Sequence, residues 1–418
     1  MIPQSLPESV DVIVVGARCA GAATARLLAA RGARVLLVDR APGGTDTLST
    51  HALMRGAVVQ LSRWGLLPRL VALGTPAVRH TTFDYGGESI RIEITPKYGT
   101  DALFAPRRTV LDGLLQESAL EAGAVLRYGC RLVRLDTDAD GRVTGAHLED
   151  ASGVRAVRAG MVVGADGRHS SVARQVGAVR QREARAVTGS VYGHWPGLDA
   201  DGYRWLYSQS ASAGVIPTND GAACVFATVP AYQFAATFAG DVAGGFARVL
   251  RSLDPALEEA TRRTAPLAGL HGFGGQVGSF TACQGPGWAL VGDAAYFKDP
   301  LTAHGITDAL LHAELLATAI AAGTPERMAW YERTRTAMAA EVFELTDAIS
   351  SFDWTWDELR ALHVRLARAM SAEVVAALAA FGHAAGDLAI PPLHDDQPRV
   401  GARRIGLGDH EQQPAAVR

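Results

Sequence analysis

The sequence predicts an α/β fold: a doubly wound, Rossmann-like nucleotide-binding domain built from separated segments, an inserted mostly antiparallel β-sheet domain, and C-terminal helices. Three observations predict it. The chain opens on an apolar run, Asp11–Val15, then a glycine-bearing turn, an alanine- and leucine-rich stretch and a second apolar run ending at Asp39, which is the pattern of a βαβ unit. Two more continuous apolar runs, Met161–Gly164 and Trp288–Val291, stand far downstream and suit strands buried on both faces of a parallel sheet. Between the runs, apolar and polar residues alternate as they do in antiparallel strands.

Within the first unit, Gly16–Gly21 is the turn, Ala22–Arg31 a helix that Gly32 ends, and Arg34–Asp39 the second strand. Residues 51–73 read as helix around Leu53, Val58, Leu61 and Leu66, with a break near Pro68. Residues 80–95 alternate through Phe83, Tyr85, Ile90, Ile92 and Ile94 as antiparallel strand, and 109–122 form a helix. Short strands come next near 124–135, with a hairpin around Asp140-Gly141. Residues 180–282 are mostly strands and turns with a helical stretch near 243–263. A helix runs from about 305 to 321, and 326–386 read as helical throughout. The expected division is a nucleotide domain of 1–79, 106–178 and 283–325, a substrate domain of 80–105 and 179–282, a helical region of 326–390, and a loose tail of 391–418 rich in Pro, Gly, Arg and Gln.

A length of 418 residues suits two interleaved domains. The formal net charge of -3 offers no basic field for nucleic acid or an anionic membrane. No apolar run is expected to reach the roughly 18–20 residues of a spanning helix, so no transmembrane segment is expected. Met1–Ser9 has no basic stretch before an apolar one, unlike a secretory signal. Cys19, Cys130, Cys224 and Cys283 lack metal-ligand spacing, so reduced thiols, a cytoplasmic location and no metal are expected. Lys97 and Lys298 are the only lysines among 40 basic residues, which draws attention to Lys298.

Three sites carry chemistry. In the first, Gly16-Ala-Arg-Cys-Ala-Gly21, Gly16 makes a tight turn and Gly21 lets helix and strand pack closely. The helix start offers free backbone N–H groups and a positive dipole end to a pyrophosphate, and Asp39 can accept from a ribose hydroxyl. Arg18 replaces the usual middle glycine and brings a cation near the phosphates. The second site is Gly164-Ala-Asp166-Gly167. The third is Gly292-Asp293, followed by Lys298, Pro300, His304 and Gly305. Each places an aspartate and a glycine at a strand's C-terminal end, where ligands bind in open α/β sheets.

In order and spacing, the three sites resemble those of the class A FAD-dependent monooxygenases, the p-hydroxybenzoate-hydroxylase-like flavoproteins, over about residues 10–325. The resemblance implies an FAD held by Gly16, Arg18, Cys19, Ala20, Gly21, Asp39 and Arg40 at the first site and by Asp166 and Gly167 at the second. It also implies Gly292 and Asp293 on the ribityl chain, Pro300, Gly305 and Ile306 beside the isoalloxazine, Arg108 touching the flavin side, and Arg55 as a ribityl or phosphate contact.

The function that the resemblance implies is that of a monooxygenase. Reduced FAD and molecular oxygen form a flavin hydroperoxide that inserts one oxygen atom into an electron-rich, aromatic small molecule. NADPH or NADH supplies the electrons, directly or through a partner flavin reductase. His304 is the candidate for proton transfer and Lys298 for holding a substrate anion. His51 is a further candidate for the same cavity, and Tyr203, Trp205, Tyr207 and Phe226 are candidates for an apolar pocket, although aromatics on strands ordinarily build core. The alternatives are a geranylgeranyl-reductase-like enzyme that saturates double bonds, a flavin-dependent halogenase, and a flavoprotein without enzymatic activity. Against a halogenase, Asp353–Leu359 has two tryptophans but lacks the Ile-Pro of the halogenase signature and lies beyond the third site, and no lysine precedes Lys97.

Overall fold

In the computed structural model, residues 6–383 are described; the expected loose tail and the last residues of the expected helical region lie outside them. Five parallel strands form the centre of the first sheet, in the order Trp288–Leu290, Gly153–Gly164, Ser9–Val15, Val35–Asp39 and Val125–Tyr128. The expected doubly wound arrangement is therefore present, with Val15 beside both Val38 and Gly164, and Gly164 beside Leu290. Ile13, Val14, Leu36, Leu37, Val162 and Val163 have no exposed surface, which is why their runs show no polar alternation. Three strands far apart in sequence thus end side by side, leading into Gly16, Ala165 and Val291.

Helices Cys19–Ala29, Arg108–Glu121 and Gly305–Ala322 pack together beside this sheet. Buried Ala22, Ala23 and Ala25 on the first helix let its neighbours approach closely. Gly305–Ala322 is long and apolar enough to cross a membrane by length and composition, contrary to the expectation that no run reaches that length. It is 67% buried inside the protein, and its all-round apolarity reflects a central position in the core.

The second sheet has seven strands, in the order Leu267–Phe273, Thr188–Pro196, Ala222–Pro230, Ser212–Pro217, Tyr203–Tyr207, His80–Tyr85 and Glu88–Glu93. All pairs are antiparallel except Tyr203–Tyr207 with His80–Tyr85. Alternation separates its faces. Tyr192, Tyr203, Trp205 and Phe226 enter the main core, while Val191, Trp195, Leu206 and Val225 enter a separate core with Phe246 and Leu250.

Several boundaries differ from expectation. The helix expected over 51–73 is two helices, Arg55–Arg63 and Leu67–Ala72; Pro68 lies in the first turn of the second, where its missing N–H costs nothing. Residues 80–95 hold a hairpin that turns at Gly86 and Gly87, both at positive φ. The helical span from 326 breaks between Pro325–Ser350 and Trp356–Ala380, where Thr355 and Glu358 form a capping box.

One buried ion pair joins separated segments. Glu314 accepts from Gln60 Nε2 at 2.8 Å, Arg63 Nη1 and Nη2 at 2.8 and 3.0 Å, and Trp64 Nε1 at 3.0 Å. Burial pushes the Glu314 carboxyl up, but the bonds and charge of Arg63 with Gln60 and Trp64 outweigh it and leave a net depression. Glu314→Ala strands the Arg63 charge and is expected to cost about 3–5 kcal/mol, read as a lowered unfolding midpoint. A carboxyl depressed by folding contributes stability above its unfolded pKa and loses it as pH falls. The difference between wild type and variant should therefore be full at neutral pH and shrink below about pH 4.

Candidate functional site

Gly16 and Gly21 are required by backbone geometry. Gly16 has φ +103, and a Cβ there would lie 2.4 Å from the Ala165 carbonyl oxygen; a Cβ on Gly21 would lie 1.8 Å from that of Gly16. Ala17 N and Ala41 N each donate to Asp39 at 2.8 Å, which fixes the carboxylate at the turn. Arg18, at the N-cap, makes no side-chain bond to helix Cys19–Ala29; its Nη2 reaches the Asp46 carbonyl at 3.4 Å. Ala20 and Cys19 are buried in the first turn of that helix. Arg18 and Asp39 line one open cleft with Thr45, Thr109, Asp112, Gln116 and Tyr128.

Helix Arg108–Glu121 supplies the wall of this cleft. Arg108 donates to both oxygens of Asp112 at 3.0 Å, and the Cys19 thiol donates to Asp112 Oδ1 at 3.1 Å. Gln116 Nε2 donates to the Ala17 carbonyl at 2.6 Å. Burial alone would lower the Arg108 pKa, but the charges of Asp112, Cys19 and Asp293 more than offset it. Asp112 and Gln116 are absent from the expected site residues. Their signal was available, because Arg108, Asp112 and Gln116 repeat at intervals of four and share one helix face.

The expected second contact differs. Asp166 accepts from Ser170 Oγ at 2.5 Å and from Ser171 N and Oγ at 2.6 Å, so its carboxylate organises the start of helix Ser171–Gln175. Gly167 turns there at φ 78. The next residue, Arg168, lies 4.6 Å over the Phe273 ring. Both line a second open cavity with Leu48, His169, Arg180 and the Gly274–Gln276 loop.

At the third site Gly292 turns at φ 61. Asp293 is exposed and has no protein hydrogen-bond partner among the described residues. Crowding by the cleft walls and the charge of Asp308 push its carboxyl up, against Arg108, Lys298 and Arg168; water in the cleft screens these influences. Pro300 opens a single turn, Pro300–Thr302, and Ala303 takes φ 51 before helix Gly305–Ala322. That helix has no side-chain cap at His304, so its first N–H groups, with Gly305 and Ile306 in its first turn, are free of one. A Cβ on Gly305 would meet nothing within 4 Å.

Lys298 and His304 do not stand open to a substrate. Lys298 pairs with Asp308 and lies 4.8 Å over the Tyr296 ring. His304 Nε2 is 2.5 Å from Glu373 on helix Trp356–Ala380 and 3.9 Å from Asp308. His304, Asp308 and Glu373 bring ligand atoms within 4.8 Å of one another, but the Lys298 ammonium already pairs with Asp308. Arg55 is also committed elsewhere, donating to the carbonyls of Thr95 at 2.9 Å and Thr100 at 3.1 Å. Arg40 is exposed in the turn after Asp39. Tyr203 donates to the Phe104 carbonyl at 2.6 Å and Trp205 to Thr81 Oγ1 at 2.9 Å, and with Tyr207 and Phe226 they are core. His51 is buried against His194.

The arrangement can hold an FAD. The free start of helix Cys19–Ala29 with Arg18 suits a pyrophosphate, Asp39 a ribose, Asp293 a polyol chain, and the open start of helix Gly305–Ala322 the electron-rich edge of a flavin.

A family model described as FAD binding domain matches residues 9–346. The menaquinone reductase of Mycolicibacterium smegmatis is 29% identical over 342 residues, 77% of this chain and 79% of that protein. Aklavinone 12-hydroxylase RdmE of Streptomyces purpurascens is 34% identical over 193 residues, 41% of this chain and 35% of that protein. Among solved structures, PqsL of Pseudomonas aeruginosa, described as a probable FAD-dependent monooxygenase, matches with a TM-score of 0.71 at 19% identity, over 87% of this chain and 100% of that one. The flavin-dependent brominase Bmp2 matches with a TM-score of 0.74 at 18% identity, over 89% and 94%. At such identities these structures show a shared fold.

Asp293→Ala is expected to weaken flavin retention by about tenfold, as loss of one good hydrogen-bonding group does. Flavin absorbance after purification and on refilling with FAD measures it. Full occupancy with unchanged retention would remove the ribityl role.

Proposed function

This chain belongs to the FAD binding domain family, and on that premise we propose that it is an FAD-dependent monooxygenase acting on an electron-rich, planar small molecule. FAD-dependent oxidoreductase chemistry is common to its relatives; oxygen insertion is the finer reading. The observation that carries it is the buried seam where the second sheet meets the segment Asp46–His51, which continues from the cleft residue Thr45. Ser49 N donates to Tyr192 Oη at 3.3 Å, His51 meets His194, and Asp46 of the same segment pairs with Arg107 at 3.0 Å. The phenol and imidazole rings are buried at this seam, close to the cofactor cleft, and make the aromatic surroundings that suit a flat ring system.

Bound FAD supplies the redox chemistry and the activation of molecular oxygen. The chain's residues bind and orient it. The start of helix Cys19–Ala29 and Arg18 hold the phosphates, Asp39 and Asp293 hold the hydroxyls, and the start of helix Gly305–Ala322 favours negative charge on the reduced ring. Gly16, Gly21 and Gly292 keep the backbone close to the cofactor.

NADPH or NADH is the proposed electron source. The cavity beside Gly167 presents Arg168, His169 and Arg180 with the Phe273 ring, a combination suited to phosphates and a flat heterocycle. A separate flavin reductase is the alternative donor. The four cysteines are all free and buried, in keeping with a proposed cytoplasmic location.

A second reading is favoured by one observation: the relative aligned over 79% of its own length is named a menaquinone reductase. It makes this chain a reductase of an unsaturated substrate.

Oxygen separates the two readings. The holoprotein with NADPH or NADH and a panel of phenols, indoles and polyketide-type aromatics under labelled oxygen should give product carrying one labelled atom. Product formed at an undiminished rate without oxygen would instead support the reductase. Arg168→Ala and Arg180→Ala should raise the KM for the nicotinamide about tenfold each, as expected for a lost charge-assisted contact, with FAD content unchanged. An unaltered KM in both would move the donor site elsewhere or to a partner protein.

A further inference from the structure

Helix Pro325–Ser350 sends two polar side chains into the core behind the third site. Tyr331 and Arg335 are both 0% exposed and stand four residues apart on that helix, so they share a face. Tyr331 Oη donates to the Leu290 carbonyl at 2.7 Å. Arg335 Nη1 donates to the Ala295 carbonyl at 3.0 Å, and its Nη2 to that of Thr281 at 3.4 Å. Leu290 and Ala295 stand in the chain on either side of Gly292-Asp293.

Neither group is placed there for packing alone. Burial pushes the Tyr331 hydroxyl up, so it keeps its proton and acts as a donor. The acceptors of Arg335 are the two carbonyls and the Thr336 hydroxyl, all neutral. Its Nε has no hydrogen-bond partner among the described residues. A buried cation that meets only neutral acceptors is strongly disfavoured, and an apolar side chain would fill the same space without that penalty. What the guanidinium adds is a grip on two backbone carbonyls at once.

The turn that they grip is pinned along its backbone and open at one side chain. Val291 N donates to the Gly164 carbonyl at 2.9 Å, and Ala295 N to that of Gly292 at 2.9 Å. The Ala295 carbonyl accepts from Thr281 N at 2.9 Å as well as from Arg335. A Cβ on Gly292 would lie 2.7 Å from the Ala20 Cβ, so the turn also rests against helix Cys19–Ala29. Asp293 itself is exposed, and its carboxylate is unpaired among the described residues. A fixed backbone gives that free carboxylate a fixed aim.

We propose that Tyr331 and Arg335 are positioning residues for the cofactor, which hold the backbone before and after Gly292-Asp293 and so direct Asp293 toward the ribityl hydroxyls of bound FAD. The inference rests on the reading of Asp293 as a flavin contact. The pair acts through the aspartate, and no bond is made or broken. Glu332 offers an internal comparison. It anchors the same helix away from the turn, accepting from Cys283 N at 3.3 Å and Gln284 Nε2 at 3.2 Å.

A double-mutant cycle tests it without substrate. Stripping the holoprotein and refilling it with FAD gives a Kd from flavin fluorescence. Arg335→Met and Tyr331→Phe should each raise that Kd about fivefold, less than the loss expected of Asp293→Ala. Arg335→Lys should recover part of the affinity, since an ammonium can still donate to one carbonyl. In the Asp293→Ala background, Arg335→Met should add nothing, because the group that it aims is gone. Glu332→Gln should leave the Kd unchanged. An unchanged Kd in Arg335→Met and Tyr331→Phe, full additivity with Asp293→Ala, or an equal loss in Glu332→Gln overturns the positioning role while Asp293 keeps its own. An unchanged Kd in Asp293→Ala overturns the flavin contact and the positioning role together. Should Arg335→Met fail to fold, Tyr331→Phe, which loses a single hydroxyl, carries the same cycle.

Discussion

The architecture depends on one close approach of backbone to backbone. Gly16 stands so near the Ala165 carbonyl that a Cβ would overlap it, and Gly21 stands nearer still to the carbonyl of Gly16. This contact brings together the ends of strands Ser9–Val15 and Gly153–Gly164, which are far apart in the chain. Ala165 N closes it by donating to the Val15 carbonyl at 2.8 Å, as Val291 N donates to the Gly164 carbonyl at 2.9 Å. The three strand ends form a floor beside two helix starts, at Cys19 and Gly305. Without side chains at these glycines, the helix dipoles and free N–H groups can come within reach of phosphate and flavin.

A floor built from backbone explains which parts of the site were legible in the sequence. Gly16, Gly21 and Asp39 lie within one βαβ unit, so their places at the turn follow from local spacing. The place of Asp293 was legible for a similar reason, as a residue just past a buried strand. The surroundings of Arg55, Lys298 and His304 were not legible because their partners come from elsewhere. Arg55 is taken up by carbonyls at Thr95 and Thr100, and His304 by Glu373 from a helix whose sequence carries no mark of the site. Residue type and proximity in sequence to a motif reveal a titratable group, but the fold decides whether that group remains free.

The two aspartates of the later motifs differ for the same reason. Asp166 and Asp293 both follow buried strands and read alike. Asp166 is followed by two serines that donate to it and begin a short helix, so its acceptors are used locally. Asp293 is followed by Ala294, Ala295 and Tyr296, which offer it no nearby hydroxyl donor in the turn. An acceptor left free on the cleft is suited to a ligand, and one saturated by its neighbours is suited to shaping the loop.

Around helix Gly305–Ala322 the charges are paired in a way that keeps the cleft open to an anion. Asp308 in its first turn and Glu373 behind it would place two carboxylates near the helix start and oppose any anion in the cleft. Lys298 and His304 are placed against those two carboxylates, in a region where an unpaired charge would be costly. The chain's second lysine is thus an internal counter-ion. With Asp308 paired to Lys298, the positive end of the helix faces less opposition from its own first turn.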